Sequence, residues 1–181
     1  MQLAKRAGVK VIGTASPRHH QTVRDLGAIP IDYRDPAIYQ RIRELAPDGV
    51  DTVFDHVGGA ALKQSWALLR RGGTLVSYGS AATKDEAGNS RLPVLKSVAR
   101  LLAWNYPPNG RSAYFYNFWA GKRRPAAFRA RLTEDLTQVL RLVDEGVLVP
   151  QIAAEFPLSE VGSALTLAES RTVAGKVVVV P

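Results

Sequence analysis

A chain of 181 residues with 46% hydrophobic and 22% charged residues has the balance of one well-cored globular domain and is too short for two ordinary ones. It has no cysteine, which excludes disulfides, iron–sulfur clusters and thiolate zinc sites from these residues, and no apolar run approaches a membrane span or a signal-peptide core, so the cytosol is the expected location. The net charge of +8 is local: nine of the 24 Lys and Arg fall between residues 91 and 131 together with none of the 16 Asp and Glu, and the remainder is close to neutral.

In chain order, residues 2 to 7 read as the end of a helix closed by Gly8, followed by the Val- and Ile-rich run VKVIGT (9 to 14), the composition of a buried parallel strand. A helix from His19 to Leu26 stops at Gly27, and IPID (29 to 32) is a second strand. Ile38, Ile42 and Leu45 lie at helical spacing within 36 to 46, before Pro47, Asp48 and Gly49. VDTVFDHVGG is a strand from Val50 to Phe54 with a polar, glycine-rich exit. Leu62, Trp66 and Leu69 mark one face of a helix, Gly72 and Gly73 turn the chain, and TLVSYG is another buried strand. Strand and helix in alternation predict a parallel α/β sheet.

Beyond Gly79 the pattern changes. A polar loop (83 to 90) leads to an apolar helix (Leu92 to Trp104) and then to YPPNGRSAYFYNFW. Leu132, Leu136, Val139, Leu140 and Val143 outline a long amphipathic helix stopped by Gly146. QIAAEF is a strand, Ser159 is an expected N-cap for a helix to Ala168, and KVVVV is a final buried strand.

The neighbouring His19 and His20 face different directions on a helix, with no carboxylate or thiol nearby in sequence, so no metal site is expected there. Eight of the 14 aromatics share the basic segment, where cations and rings together suit a lid over an apolar substrate, a dimer contact, a membrane-surface patch or single-stranded nucleic acid. The aromatics of YFYNFW follow one another too closely for evenly spaced base platforms, and nucleic acid is the less favoured partner. A Tyr-x-x-x-Lys pair, the mark of short-chain dehydrogenases, is absent.

The stretches QLAKRAGVKVIGTAS, LGA followed by IDYR, GVDTVFDHVGG, LRRGGTLVSYGS and FPLSEVGSAL with GKVVVVP span nearly the whole chain. In that order and spacing they resemble the cofactor-binding half of the medium-chain dehydrogenase/reductase superfamily, closest to its quinone oxidoreductase-like members. The resemblance implies an α/β fold of Rossmann type, a doubly wound parallel sheet. A first strand, a glycine-rich turn and a barrel-like catalytic domain are then expected ahead of Met1, and the absent strand would be central. Residues 1–181 become one incomplete dinucleotide-binding domain with a basic aromatic insert at about 84–131.

The resemblance further implies NADP(H) as cofactor. An NAD-specific site would carry an acidic residue after the VKVIGT strand; Ser16, Arg18 and His20 stand there instead, and serine with cations suits a 2′-phosphate. Ser16 and Tyr33 match the Ser and Tyr of NADPH-preferring members, whereas His20 replaces their Lys. His56, Val57 and Gly58 after one strand, and Gly79, Ser80 and Ala81 after the next, would line the adenosine and nicotinamide side. No catalytic residue is assigned, because hydride transfer needs position and electrostatics rather than a protein nucleophile. The expected whole is a homodimeric NADP(H)-dependent oxidoreductase acting on a quinone, enone or related carbonyl compound, with these 181 residues inactive alone. The rival expectation is a non-enzymatic remnant serving as a dimerising or binding module.

Overall fold

The structure is a computed structural model and describes residues 1–79, 91–106, 108–170 and 172–181. It is α/β, with helices alternating with strands that pair only in parallel among the described residues. The expected polar loop at 83 to 90 lies outside those residues. The chain divides into two compact units, Met1–Asp35 with Arg123–Pro181, and Pro36–Lys122.

The first unit opens with α1 (Gln2–Arg6), β1 (Val11–Ala15), α2 (His20–Asp25) and β2 (Ala28–Asp32). β1 and β2 pair from Val11↔Ala28 to Ala15↔Asp32. α2 lays Val23 against this pair, and Val23, Ala28 and Ile31 are buried. The helix expected from His19 begins instead as a short 3-10 turn at Pro17–His19, since a proline fits the first turn of a helix, where its missing N–H costs nothing.

The same unit ends with α6 (Pro125–Asp144), β6 (Ile152–Pro157), α7 (Val161–Ser170) and β7 (Lys176–Val180), with β6 and β7 paired in parallel. Three expectations need correction here. Ser159 caps nothing; it lies within the 3-10 turn Leu158–Glu160, which Pro157 precedes in extended backbone. KVVVV is not fully buried: among the described residues β7 pairs only with β6, and Val179 and Val180 are exposed. The amphipathic helix α6 is present, but Leu136, Val139 and Leu140 are exposed rather than packed. Gln2 ties the two halves of this unit, donating from Nε2 to the Val149 carbonyl at 2.9 Å and accepting the Val149 N–H at 2.8 Å.

The second unit contains α3 (Ile38–Leu45), β3 (Val50–Asp55), α4 (Ala61–Ala67), β4 (Leu69–Ser77), α5 (Arg91–Asn105) and β5 (Ser112–Phe115), with sheet order β3-β4-β5. Its core joins Leu62, Leu69, Leu75, Leu101 and Ala113, with Val50, Val53, Trp66 and Trp104 packed around them. The rings of Trp66 and Trp104 stack at 5.0 Å between centroids.

Leu69 was expected on the helix and Gly72–Gly73 in a turn, but all three belong to β4. Its register with β3 jumps from Val50↔Leu69 to Thr52↔Thr74, a bulge that absorbs the glycines. A Cβ at Gly73 would stand 2.9 Å from the Arg70 carbonyl oxygen and 3.0 Å from that of Val50, so the bulge closes only around glycine. β5 was missed within the aromatic run. Asn105 pins it, accepting the Ala113 N–H and donating to the Ala113 carbonyl, both at 2.7 Å. These contacts occupy backbone groups that would otherwise extend the sheet.

Among the described residues, β1 pairs only with β2, and β3 pairs only with β4. Phe54 on β3 is 71% exposed.

Candidate functional site

Strands in a parallel sheet end together, so side chains and turns just past their carboxyl ends share one edge. In the first unit this brings together Ser16, Arg18, His20 and Tyr33. Ala15 is opposite Asp32, and the Tyr33 N–H reaches the Ala15 carbonyl at 3.3 Å. The His20 Nε2 also lies 3.2 Å from that carbonyl, which holds the ring against the end of β1. Ser16 is half-buried, and Arg18 is exposed with its Nε 3.2 Å from the His19 ring.

Arg34 belongs to this edge and was not foreseen. Its Nε donates to the Tyr33 hydroxyl at 3.0 Å, and its guanidinium carbon lies 5.3 Å from the Tyr33 ring centre. Its backbone N–H also occupies one oxygen of Asp32, at 3.0 Å. The Arg34 guanidinium and the Tyr33 hydroxyl thus stand just past β2 and Arg18 just past β1, while Asp32, opposite the end of β1, has one carboxylate oxygen taken by the Arg34 backbone N–H. That donor set fits an anionic group better than a pair of ribose hydroxyls. The sequence signal was the Tyr-Arg pair after IPID, of which only the tyrosine was singled out.

In the second unit the edge lies beyond β3, β4 and β5. The Tyr78 N–H reaches the Asp55 carbonyl at 3.0 Å, and the Tyr116 N–H reaches the Ser77 carbonyl at 2.8 Å. His56 and Tyr78 stack with ring centres 5.2 Å apart. Val57 is exposed beside them, and Gly58 is buried in the turn. Gly79 lies under the His56 ring: a Cβ there would strike the imidazole and come within 2.8 Å of the His56 carbonyl oxygen. Ser80 and Ala81 lie outside the described residues.

Asp55 also went unassigned in the sequence, although it ends the strand of the VFDHVGG motif. Its carboxylate is buried and fully engaged, accepting the Gly58 N–H at 2.7 Å and the Ser65 hydroxyl at 2.7 Å. Tyr39 on α3 is pushed above its ordinary phenol value, first by burial and then by the nearby Asp55 charge.

Two cations of the basic segment serve the scaffold. Arg100 donates to the Gly59 carbonyl at 3.2 Å, and Arg111 lies over the Trp66 ring at 5.8 Å from its centre. Tyr116, Trp119, Lys122, Arg123 and Arg124 are exposed. Among the described residues, no helix is long and apolar enough to cross a membrane.

A family model described as zinc-binding dehydrogenase matches residues 26–179. The synaptic vesicle membrane protein VAT-1 of Tetronarce californica is 30% identical over 165 residues, covering 87% of this chain and 41% of its own length. The quinone oxidoreductase of Salmonella typhimurium is 29% identical over 185 residues, covering 99% of this chain and 52% of its own. Among solved structures, Escherichia coli quinone oxidoreductase complexed with NADPH aligns with a TM-score of 0.72 at 25% identity, covering 99% of this chain and 52% of that one. The chain therefore spans about half the length of these relatives, or less.

The residues present do not fit a zinc ion. The chain has no cysteine, and among the described residues no three of His, Cys, Asp or Glu converge. With the motifs, the parallel α/β architecture and the match over residues 26–179 in agreement, the chain belongs to the zinc-binding dehydrogenase family of the medium-chain dehydrogenase/reductase superfamily.

Proposed function

We propose that this chain is the dinucleotide-binding portion of an NADPH-dependent oxidoreductase that reduces a quinone, enone or related carbonyl compound. The observation that carries the reading is the pairing of Arg34 with the Tyr33 hydroxyl just past β2, beside a β1 exit whose residues Ser16, Arg18 and His20 include no carboxylate. The solved relative with NADPH bound supports the same cofactor. NADPH would supply the hydride. Within the first unit the chain's own work is to hold the 2′-phosphate through Ser16, Arg18, His20, Tyr33 and Arg34; within the second, taken by itself, His56, Val57, Gly58, Gly79, Ser80 and Ala81 are the proposed cofactor-lining residues. The acceptor is a small molecule, and the assembled enzyme is a homodimer.

The test is a titration with NADPH and NADH, followed by NMR, of this chain or of any longer chain containing it. Arg18→Ala should weaken NADPH binding by about 1.5–3 kcal/mol, the cost of a lost charge-assisted contact, and leave NADH binding nearly unchanged. Equal losses for both nucleotides would refute the assignment.

A further inference from the structure

His56 and Val57, the first residues after β3 on the proposed ligand edge, are exposed, and exposed turns hold a geometry only if something buried fixes them. Here the buried group is Asp55, 5% exposed at the last position of the strand. One carboxylate oxygen accepts the Gly58 N–H, which folds the chain back three residues later; the other accepts the hydroxyl of Ser65, itself 8% exposed on α4. The Asp55 backbone carbonyl takes the Tyr78 N–H from the end of β4. One residue therefore joins the turn, the following helix and the neighbouring strand.

His56 is the next residue. Its ring leans on Tyr78 with the planes 26° apart, and Gly79 leaves room for it. Gly58 and Gly59 both take left-handed backbone, at φ 74° and 58°, so the turn is a conformation other residues rarely adopt. No cation contributes a hydrogen bond to the carboxylate among the described contacts. The buried charge is held by two short hydrogen bonds, an arrangement whose energy depends strongly on geometry.

We infer that Asp55 is a positioning residue: its carboxylate, clamped between the Gly58 N–H and the Ser65 hydroxyl, sets the turn that presents the His56–Tyr78 ring pair to the bound dinucleotide. The ligand in this statement rests on the proposed function; the positioning of the rings does not.

The experiment reads both parts separately. The His56 ring proton shifts report the stack, with Tyr78→Ala giving the unstacked reference, and NADPH titration reports the ligand. Asp55→Ala should move the His56 signals to the unstacked reference and weaken NADPH binding about tenfold, with the circular dichroism unchanged. Asp55→Asn keeps an oxygen for the Gly58 N–H and an amide for Ser65, so it should restore the stacked shifts and bring affinity within about twofold of the parent.

If Asp55→Ala fails to fold, Ser65→Ala decides, since it removes one arm only; a partial shift toward the reference supports the inference. Stacked shifts and parental affinity in a folded Asp55→Ala or Ser65→Ala chain overturn it, and so does an Asp55→Asn chain as impaired as Asp55→Ala. If a longer chain containing these residues and the expected upstream glycine-rich turn shows no response to NADPH, the cofactor reading fails while the ring shifts still judge the clamp.

Discussion

Gly79 couples the chemistry of a single atom to the candidate site. Because an added methyl would meet both the His56 ring and the His56 carbonyl oxygen, neither neighbour can yield without moving the turn. Gly79→Ala should cost about 1–3 kcal/mol in denaturant unfolding and displace the His56 ring from Tyr78 in NMR spectra. Tyr39 offers a second test on the same carboxylate. A phenol whose folded value is raised contributes stability that is fully present below its unfolded value near 10.0 and is lost as pH rises through the folded value. Unfolding midpoints should therefore fall above about pH 10 more steeply for the parent chain than for Tyr39→Phe.

At the scale of elements, the second unit is organised around β4, whose Leu75 is fully buried against Leu62, Leu69, Leu101 and Ala113. Leu75→Ala should lose about 2–5 kcal/mol by chemical denaturation, since the sheet and two helices enclose the site and cannot close the cavity. Strands with strong β-branched runs were legible from sequence: VKVIGT, VDTVFD and KVVVV all form. β5 was not, because its four residues lie among aromatics that suit a loop, a lid or a strand equally, and only the Asn105 clamp and pairing with β4 decide. The bulge at Gly72–Gly73 was read as a turn because glycine pairs mark both, and local composition does not reveal that the flanking residues share one strand. The candidate site was legible where a strand end met a charge, at Ser16, Arg18 and Tyr33. It was illegible where partners are distant in sequence, as for Asp55 with Ser65, ten residues apart.

For the molecule as a whole, charge and apolar surface make different predictions about the aromatic segment. Trp119 is 60% exposed and Tyr116 56%, a large apolar area to leave in water, while Lys122, Arg123 and Arg124 extend into solvent where ion pairs contribute little. We expect the triple substitution of those cations by Ser to leave oligomeric state unchanged in sedimentation measurements. Trp119→Ala should instead alter self-association or, in a complete enzyme, turnover. A tight, salt-sensitive complex with single-stranded nucleic acid that vanished in the triple variant would assign the segment to phosphate binding.

The division of the chain has a consequence for its synthesis. Pro36–Lys122 is contiguous, so its residues can leave the ribosome together and condense while translation continues. Met1–Asp35 emerges earlier but belongs with Arg123–Pro181, and the Gln2–Val149 bond joins positions 147 residues apart. Closing so long a loop is entropically slow. Met1–Asp35 is thus made well before the segment that secures it, and until then β1 and β2 wait on the nascent chain as an exposed pair for which holdase chaperones would compete.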